Sequence, residues 1–571
     1  MEKIKNLIKD NYIIIIILLL AFGVRWYGIY FDYPQGVTYI WDESYHITKL
    51  IDIAESKNIF AGHSAYPFLL SFVYLPVFIL RLGYLALTHG ITSIEGLKQL
   101  LVEGGMGQLF IIARWYSVLF GTATVFLIYK IYSQVFKSRY SALYASSAFA
   151  LSLMPVFLNH WGRRHGEMEF FIVATLLLVL MFEKTKAWKY FYGSIATAAL
   201  ATSTHYIGVG ATIYPFFAFI FNRQLFDYKK IVKSSIIFLT IVIALYLPNY
   251  RDIISMFKSQ YYDFYIKTDF TGALPVSWNE RFFFVIRDIF YIEPVFLVLF
   301  VVMAIAGFKK YFKASLARYV FIGIIFNYFY NTFVVTGPHL TRWLMTLITL
   351  IAPMGAGMLI EYLTEREVKK KLILVIALIL LMPNAYFVYR WDAMLRQDTR
   401  KEAVVWMEQN MKRNEYLYEF NNWFDPPLSY DAALWNKENN NRSSRKLDFI
   451  ISNKDKYENI GINVMYDYEA GRYCDLAGPK TKYVMLDYWT IYSKDIPPNV
   501  SASWSKEDAD ARKINIEKCH KLKMVATFYP TKDDQGLKKG FFDYLNNPLY
   551  FWELSRIDKS GPFIEIYEVL K

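Results

Sequence analysis

Long apolar runs separated by short basic loops constrain this chain more than any other feature. The first run, "NYIIIIILLLAFGVRWYGIY" (Asn11 to Tyr30), approaches the ~20 apolar residues that cross a bilayer, and it follows the basic start "MEKIKNLIKD". No small-residue cleavage site follows, so the run reads as a retained span rather than a signal peptide. Hydrophobic residues make up 55% of the 571, and aromatic residues 19%, which excludes an ordinary soluble domain.

The formal charge of +13 would suit nucleic acid if the cations clustered on one surface. They sit instead in short loops between apolar runs: "FKSRY", "EKTKAWK", "NRQLFDYKKIVK", "KKYFKASLAR" and "EREVKKK". By the positive-inside rule these loops are cytoplasmic. Placing them all inside predicts spans at roughly 11–30, 110–132, 140–158, 170–182, 190–203, 206–221, 236–247, 294–308, 319–335, 343–360 and 372–388, about eleven in all. The run Tyr66 to Gly90 would turn every lysine-rich loop outward if it crossed. It is therefore read as helices lying at the outer interface, with a twelfth span as the competing reading.

This parity puts residues 31–108, the turn "NHWGRRHGEMEF", residues 249–288 and everything after Tyr389 outside the cytoplasm. Residues 1–390 form the predicted transmembrane domain. Residues 391–571 alternate polar stretches with β-like runs such as "TKYVMLDYW" and "PFIEIYEVL", and read as a soluble extracytoplasmic α/β or α+β domain. Both cysteines, Cys474 and Cys519, fall there, where a disulfide is compatible with the compartment.

Three outer clusters carry chemistry. "GVTYIWDESYHITKL" sets Asp42 and Glu43 side by side with Trp41, Tyr45 and His46, offering a general base and a binding acid among rings suited to a sugar or other polar substrate. "HWGRRHGEMEFF" supplies Arg163 and Arg164 as paired donors for a phosphate or carboxylate. Glu167 and Glu169 sit where that chain re-enters the bilayer, with His165 and Glu169 read as interfacial anchors. "GPHLTRW" ends a short outer turn with Arg342, placed to snorkel or to receive a lipid-linked phosphate. No P-loop, GxGxxG or CxxC pattern occurs. The histidines show no HExxH-like spacing, so no metal ligand is assigned and no cofactor is required, although His46, His160, His165, His205 and His339 near the outer face leave room for a divalent metal.

Taken in order, these elements resemble the C-superfamily glycosyltransferases, in the branch of the protein O-mannosyltransferases and the aminoarabinose transferases of lipid A. The resemblance rests on an outer Asp-Glu pair after the first span, the juxtamembrane run "YPFLLSFVYLPVF", and Arg114 in "ARWYSVLFGTATVFLIYKIY". It continues with the late proline of "ALSLMPVFLNHWGRRHGEMEFF", the arginines and acid of the turn after it, and Arg342. It covers about residues 12–390. Glu167 matches a position that is often Asp, and "STHYIG" with His205 stands where a lysine is common.

The resemblance implies transfer of a sugar from a polyprenyl-phosphate donor to an acceptor hydroxyl, with inversion, at the extracytoplasmic face. Asp42 would be the base, Glu43 and Glu167 would bind or orient the acceptor, and Arg163, Arg164, Arg342 and Arg114 would bind the donor phosphate. Trp41, Tyr45, His46, His205 and His339 would line the substrate. Implied partners are the donor lipid, a protein, lipid or glycan acceptor, and the membrane, with no nucleic acid; the membrane is the cell membrane, or the endoplasmic reticulum in a eukaryote. The alternative from another class is a secondary transporter, against which the charges gather at span ends rather than midplane and no inverted repeat appears. An oligosaccharyltransferase's "WWDYG"-type motif is missing.

Overall fold

The computed structural model describes residues 2–31, 41–62, 66–101, 106–255, 258, 278–313, 316–334, 341–420, 428–440, 445–458, 461–466, 481–488, 506–532 and 553–570. The apolar runs are helices: α1 (Glu2–Trp26), α2 (Trp41–Ser56), α3 (Leu69–Thr88), the short α4 (Ile94–Leu100) and the long α5 (Met106–Val135). Next come α6 (Arg139–Ala150) and α7 (Leu153–Asn159), then α8 (His165–Thr185), α9 (Trp188–Thr204), α10 (Ile213–Phe221) and α11 (Tyr228–Tyr246). The bundle is completed by α12 (Trp278–Ile292), α13 (Pro294–Lys313), α14 (Ala317–Phe329), α15 (Met345–Glu365) and α16 (Lys370–Met394).

Among the described residues, six helices are long and apolar enough to cross a membrane, or seven if the bent pair α6–α7 is one span, against the eleven or so expected. The difference lies in short helices. The expected span at 190–203 falls in a 17-residue helix rich in Ala, Ser and Thr, and the one at 319–335 falls largely in the 13-residue α14. The Tyr66 to Gly90 run, expected to lie at the interface, forms one 20-residue helix, α3, that qualifies as a span by length and hydropathy.

The bend between α6 and α7 measures 53° and positions the site. Pro155 is the third residue of α7; it offers no N–H and its ring crowds the carbonyl four residues back, which favours a break there. The helix ends this creates are satisfied by charged side chains from elsewhere. Glu293, just before α13, accepts from the Ser152 hydroxyl (2.6 Å) and the Met154 N–H (3.3 Å), and from Asn384 of α16 (2.6 Å). Glu361 of α15 accepts the N–H groups of Lys137 (3.1 Å) and Ser138 (3.0 Å) at the start of α6. Arg25 of α1 donates to the carbonyls of Ala150 (3.0 Å) and Phe149 (3.4 Å) at the end of α6. Acids at helix starts and a cation at a helix end each oppose the local dipole charge.

All five strands follow residue 415: β1 (Tyr416–Glu419), β2 (Val464–Tyr466), β3 (Thr481–Tyr488), β4 (Lys521–Phe528) and β5 (Phe563–Leu570), in the order β2-β1-β3-β5-β4. The first three are parallel, and β5 and β4 are antiparallel additions. Arg390 ties this part to α16, donating to the carbonyls of Leu554 (3.2 Å) and Ile557 (2.8 Å) and to Asp558 (2.8 Å). At the same junction Asp398 takes the Arg400 Nε–H at 2.7 Å and the Ser560 hydroxyl at 2.8 Å. Burial alone would raise the Asp398 carboxyl, but Arg400 and Ser560 hold it below the ordinary range. Cys519 is disulfide-bonded, and Cys474 lies outside the described residues.

Candidate active site

The turn from α7 to α8, Asn159 to Gly166, is buried throughout. Gly162 permits this, because a Cβ there would lie 2.6 Å from the Ala113 side chain of α5. At the turn's start the Asn159 side chain accepts from Arg25 Nε at 2.9 Å. The two arginines that follow lie on aromatic faces. Arg163 sits 4.9 Å from the Trp161 ring, and Arg164 only 3.0 Å from the ring of Tyr66.

Tyr66 is the hub of a ring cluster that draws three chain segments together. It meets Tyr45 edge-on at 5.5 Å, stacks on His205 at 5.8 Å and tilts against His46 at 6.4 Å. His205 in turn lies 5.6 Å from His165, and its Nδ1 accepts the Ile207 N–H. Arg163, Arg164 and Arg342, the last in the short turn Thr341–Leu344, all act electrostatically on the buried His165. Three guanidiniums thus converge on the head of α8.

Glu167, fully buried, accepts from the Tyr74 hydroxyl (2.9 Å) and the Ser117 hydroxyl (3.3 Å). Tyr74 belongs to α3 and meets His46 of α2 edge-on at 6.1 Å, while His46 Nδ1 lies 3.2 Å from the Ser71 hydroxyl. Glu167 therefore anchors the α2–α3 pair to α5 and α8. Lys49, one turn after His46, reaches the carbonyls of Gly62 (3.3 Å) and Pro248 (3.5 Å), and burial pushes its amine below the ordinary range despite the opposing charge of Asp252. Asp42 and Glu43 occupy the first turn of α2, with Asp42 one turn ahead of His46. The side chains of Trp41, Asp42 and Glu43, and all of His339, lie outside the described residues. Arg114 Nη1 donates to the carbonyls of Ile29 (2.8 Å) and Phe31 (2.7 Å), steadying the chain that follows α1.

Residues 106–249 match the family described as dolichyl-phosphate-mannose-protein mannosyltransferase. Over nearly its whole length the chain superposes on the Archaeoglobus fulgidus oligosaccharyltransferase in its apo form, with TM-score 0.50 and 10% identity, covering 98% of this chain and 88% of that one. The chain shares the fold of that oligosaccharyltransferase. ArnT from Cupriavidus metallidurans, bound to undecaprenyl phosphate, is similar at TM-score 0.46 and 10% identity, over 91% of this chain and 96% of that one. The S. cerevisiae protein O-mannosyltransferase complex bound to the sugar donor matches at TM-score 0.30 and 16% identity, over 44% and 34%. No curated protein matches the chain.

Within this fold, the segment that matches the family runs from α5 through α11 and contains Arg163, Arg164, Glu167 and His205. Three contributors to the site escaped sequence reading. Tyr66 and Tyr74 look like ordinary members of an apolar run. The third is Asp392 of α16, which lies 3.2 Å from Nε2 of His160; that histidine also faces the carbonyls of Tyr27 (2.7 Å) and Val156 (2.8 Å). The end of α1, the arginine turn and the helix leading to the sheet are joined at this one ring. Among the described residues, no three His, Cys, Asp or Glu side chains come together as a metal site, and the Asp42 and Glu43 side chains fall outside that set.

Proposed function

We propose that this chain is a glycosyltransferase that moves a sugar from a polyprenyl-phosphate carrier to an acceptor hydroxyl at the extracytoplasmic face, inverting the anomeric centre. The observation that carries the reading is the convergence of Arg163, Arg164 and Arg342 on His165 at the head of α8. Guanidiniums at a membrane-helix end donate paired, charge-assisted hydrogen bonds to a phosphate, and a lipid-linked phosphate lies at that level of the bilayer. The matched family, whose description names dolichyl phosphate mannose, and the fold both agree with such a donor.

In this reading Asp42 takes the proton of the acceptor hydroxyl while that oxygen's electron pair attacks the anomeric carbon opposite the phosphate. The bond from carbon to phosphate oxygen breaks, its electron pair stays on the phosphate, and the arginines stabilise the charge that grows there. Glu43 and Glu167 orient the acceptor and the α2–α3 pair. No step is routed through a metal.

The test is transfer from dolichyl phosphate mannose by the purified chain in proteoliposomes, with Asp42→Asn alongside. Loss of a general base lowers transfer by roughly 10²–10⁴ while donor binding persists. Normal transfer by Asp42→Asn would remove it as the base. Cysteines at Lys184 and Lys538 labelled from opposite sides support the extracytoplasmic placement; labelling from one side overturns it.

A further inference from the structure

One helical turn below His165, the bundle holds a second polar group that the reaction above does not use. Glu169 is fully buried, and its Oε2 accepts the Thr346 hydroxyl of α15 at 2.8 Å. Thr349, on the next turn of α15, stands close to the same carboxylate, and Tyr214 of α10 acts on it electrostatically. Among the described residues, Oε1 of Glu169 and the hydroxyls of Thr349 and Tyr214 have no hydrogen-bond partner. Gly323 of α14 walls the far side, since a Cβ there would lie 2.4 Å from the Tyr214 hydroxyl.

Apolar packing does not account for this. A buried carboxylate with one neutral partner costs several kcal/mol, and native proteins leave few such atoms unserved. Among the described residues no ion pair includes Glu169, as an interfacial anchor would require. Its place is informative. Glu169 is four residues beyond His165 on α8, about 6 Å along the axis, and Thr346 is four residues beyond Arg342. The polar group therefore lies about one helical turn beyond the residues that carry the arginines, along α8 and at the start of α15.

We propose that Glu169, Thr346, Thr349 and Tyr214 form the subsite that reads the hydroxyl pattern of the donor's sugar. This rests on the donor reading above. A sugar bonded to a phosphate at the arginines carries its hydroxyls within about one helical turn of them. A carboxylate oxygen accepts from a sugar hydroxyl, and the Thr349 and Tyr214 hydroxyls can each donate or accept. Buried groups of this kind discriminate strongly, because a sugar lacking the matching hydroxyl leaves them unpaired.

The test measures binding of bare dolichyl phosphate, and of dolichyl phosphates carrying mannose, glucose or N-acetylglucosamine, to the full chain in nanodiscs. The wild type should bind at least one sugar-bearing lipid tenfold or more tightly than the bare lipid, a factor worth about 1.4 kcal/mol. Glu169→Gln and Tyr214→Phe should erase that preference and leave bare-lipid affinity within about twofold. Thr346→Val, which keeps the shape, should do the same if Glu169→Gln does not fold. Equal wild-type affinity for all four lipids overturns the subsite, as does a variant that weakens bare and sugar-bearing lipids alike. A wild type that binds none of them overturns the donor reading, and the subsite with it.

Discussion

Two sets of buried arginines serve this bundle in opposite ways. Arg25 and Arg114 spend their donors on backbone: Arg25 on Ala21, Phe149 and Ala150, Arg114 on Ile29 and Phe31. Arg163 and Arg164 lie against the faces of Trp161 and Tyr66 and gather with Arg342 around His165. A guanidinium that grips carbonyls fixes the path of the chain. Arg25 and Arg114 also lie against rings, 5.7 Å from Phe149 and 3.9 Å from Phe31. What sets them apart is the backbone carbonyls they hold, whereas in the reading proposed above Arg163 and Arg164 serve the donor phosphate.

The sharpest way to break this comparison is Arg25→Ala. It removes a donor from the carbonyls of Ala21, Phe149 and Ala150 and from the Asn159 side chain, and a buried acceptor left unsatisfied costs about 1–3 kcal/mol. The expected result is a steep fall in thermal stability in detergent, with the surviving folded fraction binding donor normally. A stable variant that has lost donor affinity would merge the two sets.

Next in size are Arg164→Ala and Arg342→Ala, which should weaken binding of dolichyl phosphate mannose about ten- to hundredfold, the ~1.5–3 kcal/mol of a charge-assisted contact. Their melting temperatures should stay near wild type. Arg164→Lys should recover only part of the loss, since an ammonium lacks the flat face that lies on Tyr66. Full recovery would show that charge alone matters there.

Asp392→Asn tests a residue that touches neither set. It weakens the hold on His160, which ties the end of α1 to the arginine turn, and should lower the transfer rate roughly tenfold, the worth of one charged hydrogen bond. Donor affinity should be kept. An unchanged rate would confine Asp392 to packing.

The smallest effect is acid sensitivity at the junction with the sheet. Folded Asp398 titrates below its unfolded value of about 3.9. Its contribution is therefore present above that value and lost as pH falls through the folded value. Thermal melts from pH 6 to pH 2 should show wild type losing more stability on that descent than Asp398→Asn, and parallel curves would remove the pair as the cause.

Much of the site was legible because charge in an apolar chain is conspicuous. Asp42 with Glu43, Arg163 with Arg164, and Arg342 each stand at the edge of a run, where burial in lipid is costly and a function or partner is required. Tyr66, Tyr74, Ser117 and Thr346 carry no such mark, being ordinary members of their runs. Span counting fared less well, because α9 and α14 are short and Pro155 divides another span into α6 and α7. The run expected to lie at the interface became a helix of spanning length, since hydropathy registers apolar content and not orientation.

The sequence by itself determined that the chain enters a membrane, which loops carry its positive charge, and where acids and arginines meet the aqueous edge. These follow from composition along a single line. Tertiary structure alone decided that Arg114 serves backbone carbonyls while Arg164 lies on Tyr66, that Glu167 is held by Tyr74, and that Glu169 meets Thr346. Each of those pairings joins helices distant in sequence. Which polar groups meet depends on helix rotation and crossing, and these are set by packing across the whole bundle, as where Gly162 lets the arginine turn close on α5.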